Sequence, residues 1–340
     1  MLKFWESKIK LDSALPWAVA VLILIELVLR LPGFGQLSAV RETKSGEHVF
    51  EAASNRSPDP SIVALGSSRF QNSIIPEVVE ERLNIGTGGV SNLSFDAATP
   101  QDYLHLYSTE RSFFSGVDLL LVEVGEFQYN WSAIADEAAG NMRFRRLAGL
   151  DERLNTPSIE NKIDYTLGYF VRIWDSRFII RDMLSTTIRS GFNYSHRSLS
   201  IRSNGQIGLT NALSVSEFNP KDTNQLGAFG FRNFEISEYQ LNAVARLLQI
   251  AEDDGVSVIL MSPPLNAEFN DLVAQNYADY DQEWRNRVTE QTGRQIQLIE
   301  MTNPGCVNWQ KCFYDFGHTN SIGANSFSAA LAEYLSGIGY

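Results

Sequence analysis

Eight consecutive residues, Val117-Asp118-Leu119-Leu120-Leu121-Val122-Glu123-Val124, constrain this chain more than any other stretch of it. The run is apolar without alternation and breaks at Gly125, the pattern of a strand buried inside a sheet. Residues 61–65, 256–261 and 296–301 share that pattern. Between them lie helical patterns at 76–83, 100–114, 236–254 and 270–292, and a final one that carries Phe327, Leu331 and Leu335. In the 236–254 segment Leu241, Val244, Leu247 and Leu248 share one side, and Gly255 ends the helix. Strands that alternate with helices pair in parallel through right-handed crossovers, so an α/β domain is predicted.

The first strand gives way to Gly66-Ser67-Ser68-Arg69. A serine there stands at the C-terminal end of a strand, where open parallel sheets bind ligands. The same residues also read as an ordinary strand-to-helix turn with a serine capping the helix. Far along the chain comes Asp315-Phe316-Gly317-His318, followed by Asn320-Ser321-Ile322-Gly323-Ala324 and the last helix. A carboxylate three residues ahead of an imidazole can accept from one ring nitrogen and leave the other facing a hydroxyl. Hydroxyl, base and orienting carboxylate are the minimum set for acyl transfer through serine. Of the remaining histidines, His105 is expected at the surface or boundary of the 100–114 helix, and His48 and His196, in polar irregular stretches, are expected to be solvated.

Gly-Ser-Ser after the first strand and Asp-x-x-His before the last helix resemble the SGNH (GDSL-like) hydrolase and acyltransferase superfamily. The resemblance is greatest to its membrane-anchored bacterial branch, with the proteins resembling DltD and the alginate acetylation factors, where Gly-Ser-Ser often replaces Gly-Asp-Ser. Residues 90–103 look like the second block of that family, 117–125 like its third strand, 256–264 like its fourth, and 313–335 like its fifth block with the following helix. The similarity spans most of 61–124 and 236–335, and the central third has no counterpart. It implies a three-layer, flavodoxin-like fold around a central parallel five-stranded sheet, with no cofactor. It makes Ser68 the nucleophile, His318 the general base and Asp315 the partner that orients the base. Ser67 stands where many relatives have aspartate; its N–H is a candidate oxyanion donor, and its hydroxyl is the fallback nucleophile. The second-block glycine is Ala97 here, which keeps a backbone donor. The third block, Gly-x-Asn-Asp in the family, reads Gly125-Glu126-Phe127-Gln128, which leaves Gln128 or Asn130 to replace the missing asparagine donor.

Residues 14–31 are apolar apart from Glu26 and Arg30, long enough to span a bilayer with slight extension or local thinning. Glu26 and Arg30 are four apart and can pair. Lys3, Lys8 and Lys10 precede the run, which favours a cytoplasmic N-terminus and an exported remainder. A cleaved signal peptide is the competing reading, because Leu37-Ser38-Ala39 offers small residues. The expected organisation is a cytoplasmic N-terminus over 1–13, an anchor in the cytoplasmic membrane over 14–31, a stalk over 32–60, and one extracytoplasmic (periplasmic) domain over 61–340 with an insertion at about 130–235. Cys306 and Cys312 lie just before Asp315; in an oxidising compartment they form a disulfide that braces the loop, and otherwise they are two free thiols. No cluster of His and Cys completes four ligands, so no metal centre is expected. A net charge of −12 argues against nucleic acid and against peripheral docking on anionic lipid.

The reading that unites these features is an exported, membrane-anchored enzyme. It transfers or removes an acyl group, acetyl foremost, on a cell-envelope or exported polysaccharide. The resemblance further implies a membrane-bound O-acyltransferase partner that delivers the acyl group across the bilayer. A simple carboxylesterase with the same residues is one alternative, and a non-catalytic envelope binding or assembly protein with altered second and third blocks is the other. The 130–235 insertion, which carries Arg143, Arg145 and Arg146, is expected near the strand ends as a lid or cap, its arginines read first as a solvated cluster.

Overall fold

A computed structural model describes residues 60–95, 98–130, 234–298 and most of 306–340, with isolated positions at 16–28, 49 and 163–171. The chain forms two compact units, residues 1–47 with 139–196 and residues 48–138 with 197–340. In the first unit residues 16–17 and 19–28 are helical, with Trp17, Leu22, Leu24 and Leu27 exposed. Among the described residues no helix is long and apolar enough to cross a membrane. Both ends of the expected 14–31 anchor, Arg30 included, lie outside them.

The second unit is an α/β domain, compatible with a flavodoxin-like fold. Among the described residues it holds a five-stranded sheet of β1 (Ile62–Leu65), β2 (Val90–Asn92), β3 (Leu119–Glu123), β4 (Ser257–Ser262) and β5 (Gln297–Leu298), all parallel, in the order β2-β1-β3-β4-β5. The first three strands are buried along their whole length, as continuous apolar runs require when helices cover both faces of a sheet. The helices are α1 (Ser68–Ser73), α2 (Pro76–Leu83), α3 (Pro100–Thr109), α4 (Glu238–Asp253), α5 (Ala267–Asn276), α6 (Ala278–Thr292), α7 (Trp309–Cys312) and α8 (Ser321–Gly337). On one face Ile62 and Ala64 of β1 and Leu119 and Leu121 of β3 pack with Phe70 of α1, Val79 of α2, and Phe327, Leu331 and Leu335 of α8. Helix α4 packs on α3, α6 and β4.

Strand order places the site. The chain leaves β1 for β2 on one side and then crosses to β3 on the other, so β1 and β3 flank a topological switch point. Ligands of open parallel sheets bind outside the strand ends at such a point. Ser68 follows the end of β1 and Glu123 closes β3, so both stand at that rim.

Two sequence expectations need correction here, and a third is only partly covered. His105 is buried, at 5% exposure, because α3 buries every residue from Asp102 to Tyr107 and so has no wet face at that position. The single helix expected over 270–292 is two, α5 and α6, broken at Tyr277. Tyr277 leaves helical geometry (φ −141°, ψ 31°), and Asp279 and Asp281 in the next turn favour a fresh N-terminus there. The fifth strand is described only at Gln297–Leu298; 299–301 lie outside the described residues.

Candidate active site

Helix α1 starts where it does because Ser67 caps it: the Ser67 hydroxyl accepts from Arg69 N–H at 3.2 Å. The capping alternative therefore holds for Ser67 and leaves Ser68 as the first helical residue. From Gly66 to Phe70 every residue is buried except Ser68, which is half-buried. Gly66 is required by close approach. A Cβ there would meet Phe70 Cβ at 2.4 Å and Glu123 Oε2 at 2.6 Å.

On the other side the chain closes a loop with an antiparallel bridge between Phe313 and Thr319. Cys306 and Cys312 form a disulfide at its foot. Cys312 carbonyl accepts from Asn320 N–H at 2.9 Å, and Asn320 in turn caps α8, its side-chain oxygen accepting from Ile322 and Gly323 N–H. Gly323 permits this packing, since a Cβ there would stand 2.1 Å from the Cys312 carbonyl oxygen. Inside the loop, Asp315 Oδ1 accepts from the backbone N–H groups of Gly317 (2.9 Å) and His318 (2.8 Å). Thr319 ties the loop to α1 by donating to the Asn72 carbonyl at 2.9 Å, with Ser73 Oγ 3.2 Å away.

These two pieces meet. Ser68 Oγ lies 2.7 Å from His318 Nε2, and His318 Nδ1 lies 2.8 Å from Asp315 Oδ2. A carboxylate can only accept, so Nδ1 carries the ring proton, and Nε2 is left with a lone pair that accepts from the Ser68 hydroxyl. Burial pushes Asp315 up, but the ring and charge of His318 and the two loop N–H groups outweigh it and hold the carboxyl below its ordinary range. Asp315 stays ionised, and so can stabilise the imidazolium that forms if His318 takes a proton.

The other expected positions fall elsewhere. Ser67 N–H donates to Glu123 Oε2 at 2.6 Å and its hydroxyl to Glu123 Oε1 at 2.8 Å, so the N–H is committed and does not face a developing oxyanion; nor does the hydroxyl face His318. Gln128 is buried, and its amide nitrogen bonds the Tyr103 hydroxyl at 2.6 Å. Asn130 is buried in a bridge to Ile236. Ala97, His48, His196, Arg143, Arg145 and Arg146 lie outside the described residues. Among the described residues no group of acidic, His and Cys side chains could hold a metal ion.

Two residues beside the site were not anticipated. Arg69 is 5% exposed; its Nη1 pairs with Glu126 at 2.9 Å, its guanidinium stacks 5.4 Å from the Phe127 ring, and its stem runs against Gly317. Tyr280 of α6 holds the same turn by donating to the Glu126 carbonyl. Glu123 is the second such residue. A sequence signal existed for it: it is the one charge within the apolar stretch 119–124, and a charge inside a buried strand needs a built partner.

No family model matches the chain, and no curated protein does. Among solved structures it is similar to one from Streptococcus pneumonia, described provisionally as a platelet activating factor, at 12% identity and a TM-score of 0.39, over 95% of this chain and 99% of that one. Likeness of that degree fixes no activity.

Proposed function

We propose that this chain is an SGNH-type serine enzyme in which Ser68 attacks an acyl ester, His318 takes the hydroxyl proton and Asp315 orients the ring. The observation that carries the reading is the unbroken relay from Ser68 Oγ through His318 to Asp315, at 2.7 Å and 2.8 Å, between residues 250 positions apart. In the first step the Ser68 oxygen bonds the acyl carbon, its proton passes to Nε2, and the leaving alcohol departs with that proton. In the second step a sugar hydroxyl or water attacks the acyl-serine and gives its proton to Nε2, which passes it to the Ser68 oxygen as the acyl–oxygen bond breaks.

The acceptor we infer is a cell-envelope or exported polysaccharide, with acetyl as the acyl group and a membrane-bound O-acyltransferase as the donor-side partner. Three features support an anchored, extracytoplasmic setting: the apolar 14–31 segment, the lysines ahead of it, and the Cys306–Cys312 disulfide, a bond of oxidising compartments. The second reading, a carboxylesterase, uses the same residues with water as acceptor.

A serine-reactive fluorophosphonate probe tests the chemistry. The full-length protein is expected to be labelled, and Ser68→Ala to abolish labelling. Labelling that survives Ser68→Ala and disappears in Ser67→Ala would move the nucleophile by one residue. Turnover of p-nitrophenyl acetate with and without an oligosaccharide acceptor separates transfer from hydrolysis, since only a transferase yields acetylated sugar.

A further inference from the structure

Glu123 closes the central strand β3, and none of it reaches solvent. A carboxylate stripped of water must find donors, and this one takes them from a single residue. Ser67 gives its N–H at 2.6 Å and its hydroxyl at 2.8 Å and 3.0 Å to the two carboxylate oxygens. Ser67 immediately precedes Ser68, and the glycine before it has no Cβ because Glu123 Oε2 occupies that space.

We propose that Glu123 is a positioning residue for Ser68: its ionised carboxylate clamps both donors of Ser67 and so fixes the β1–α1 turn on which the Ser68 hydroxyl meets His318 Nε2. The proposal rests on Ser68 being the nucleophile. A neutral acid can still bond Ser67, whose hydroxyl accepts as well as donates, but the charge that shortens and strengthens these bonds is gone. The clamp weakens and the turn is loosened. The charged and titratable groups that face Glu123 are Arg69 from α1, Glu126 from the turn after β3, Tyr103 from α3, and Tyr129. Burial pushes the carboxyl up, the Arg69 charge and the Ser67 bonds pull it back, and the net direction is upward. Among the described residues the Arg69 guanidinium bonds Glu126 through Nη1, while its Nε and Nη2 have no partner, so toward Glu123 it acts through its charge. Protonation of Glu123 thus comes within reach as pH falls, as a second event beside protonation of the general base.

The experiment measures the fluorophosphonate labelling rate of the full-length protein between about pH 4 and pH 8. Wild type is expected to fall on the acid side with a logarithmic slope approaching about 2, one proton for the base and one for the clamp. Glu123→Gln is expected to label about 10- to 100-fold more slowly at neutral pH, with a slope of about 1. Glu123→Asp, charged but shorter, should be slow and keep the steeper slope. A Glu123→Gln protein that labels at the wild-type rate overturns the proposal, and so does a wild-type slope of about 1 that the substitution leaves unchanged. If Glu123→Gln does not fold, Ser67→Ala takes its place, since it removes the hydroxyl half of the clamp; a folded Ser67→Ala with wild-type labelling is equally fatal. Absence of labelling in wild type strikes instead at Ser68 itself.

Discussion

The two halves of the candidate site are built by opposite means. The Ser68 turn is fixed from below: β1 is wholly buried between β2 and β3, Gly66 sits against Phe70 and Glu123, and Glu123 grips Ser67. The Asp315–His318 loop is fixed from within: its aspartate bonds its own backbone, a disulfide closes its foot, and a bridge from Phe313 to Thr319 closes its neck. Ser68 therefore depends on contacts distant in sequence, while His318 depends mainly on contacts within about a dozen residues, a loop whose closure entropy is small, with Thr319 tying that loop to α1. A hydroxyl that must be placed once can be welded to the core. The His318 ring stands on a separate brace, half-buried, with 20% of its side chain exposed.

The largest effect is expected from breaking the base side at its centre. Asp315→Asn replaces an acceptor with a group that can donate to Nδ1, so the ring adopts the wrong tautomer and Nε2 no longer accepts from Ser68. Turnover of p-nitrophenyl acetate should fall by about 10³- to 10⁴-fold while Ser68 remains in place. A loss below about tenfold would mean that Asp315 does not set the tautomer. The same residue sharpens the comparison through pH. Its folded value lies below its unfolded one, so its contribution to stability is fully present above the ordinary carboxylate range and is lost as pH falls through the lowered folded value. Melting temperature followed downward from neutral pH should drop more steeply in wild type than in Asp315→Asn, where that group no longer titrates.

Next comes the nucleophile side. Gly66→Ala puts a methyl 2.4 Å from Phe70 Cβ and 2.6 Å from Glu123 Oε2, atoms held by the core, so neither can swing away. The expected cost is about 3 kcal/mol of unfolding free energy, read from urea denaturation. A variant within about 0.5 kcal/mol of wild type would show that the turn is far softer than the packing implies.

How legible each half was in the sequence follows from the same contrast. The three-residue spacing of Asp315 and His318 and the glycine-broken strand end at Ser67-Ser68 were visible in the sequence, the family resemblance singled out Ser68 of the two serines, and the structure brings Ser68, His318 and Asp315 together. The α/β alternation was equally readable, because continuous apolar runs leave a strand little choice but the middle of a sheet. What the sequence hid was long-range: that Ser67 N–H turns to Glu123 and away from substrate, that Gln128 spends its amide on Tyr103, and that Arg69 folds inward onto Glu126. The burial of Glu123 was signalled by its place in an apolar strand but its partner was not, and Arg69, at a turn, reads first as solvated until the sheet shows it at a sealed rim. The break at Tyr277 was hidden for a local reason, since the polar-apolar spacing runs through it unaltered.

A smaller effect tests the disulfide. Only six residues separate Cys306 from Cys312, so loss of the bond through Cys306→Ser with Cys312→Ser should cost about 2 kcal/mol of global stability. Its local consequence is expected to be greater, because the loop that loses its foot is the one that carries the base. Labelling by the probe should slow in the double variant and in wild type treated with dithiothreitol, while untreated wild type is unaffected. Equal labelling rates with and without reductant, under conditions where thiol titration confirms two free cysteines, would confine the disulfide to a structural part remote from the chemistry.

The smallest single effect, and the most informative about how the two halves are joined, lies at Thr319. Its hydroxyl donates to the Asn72 carbonyl at the end of α1 and lies beside Ser73 Oγ, while Ser328 of α8 donates to the Ser73 carbonyl and accepts from Ile75 N–H. Thr319→Val keeps the shape and removes the hydroxyl, leaving the Asn72 carbonyl without that donor, at an expected cost of about 1 kcal/mol. Thr319 and the disulfide hold opposite ends of one loop, so either alone can still restrain it. Removing both should slow labelling by more than the product of the separate factors, with an interaction energy above about 0.5 kcal/mol in the cycle. Strict additivity would mean that neck and foot act on separate pieces, and that the base is held in register with Ser68 by the aspartate's own bonds alone.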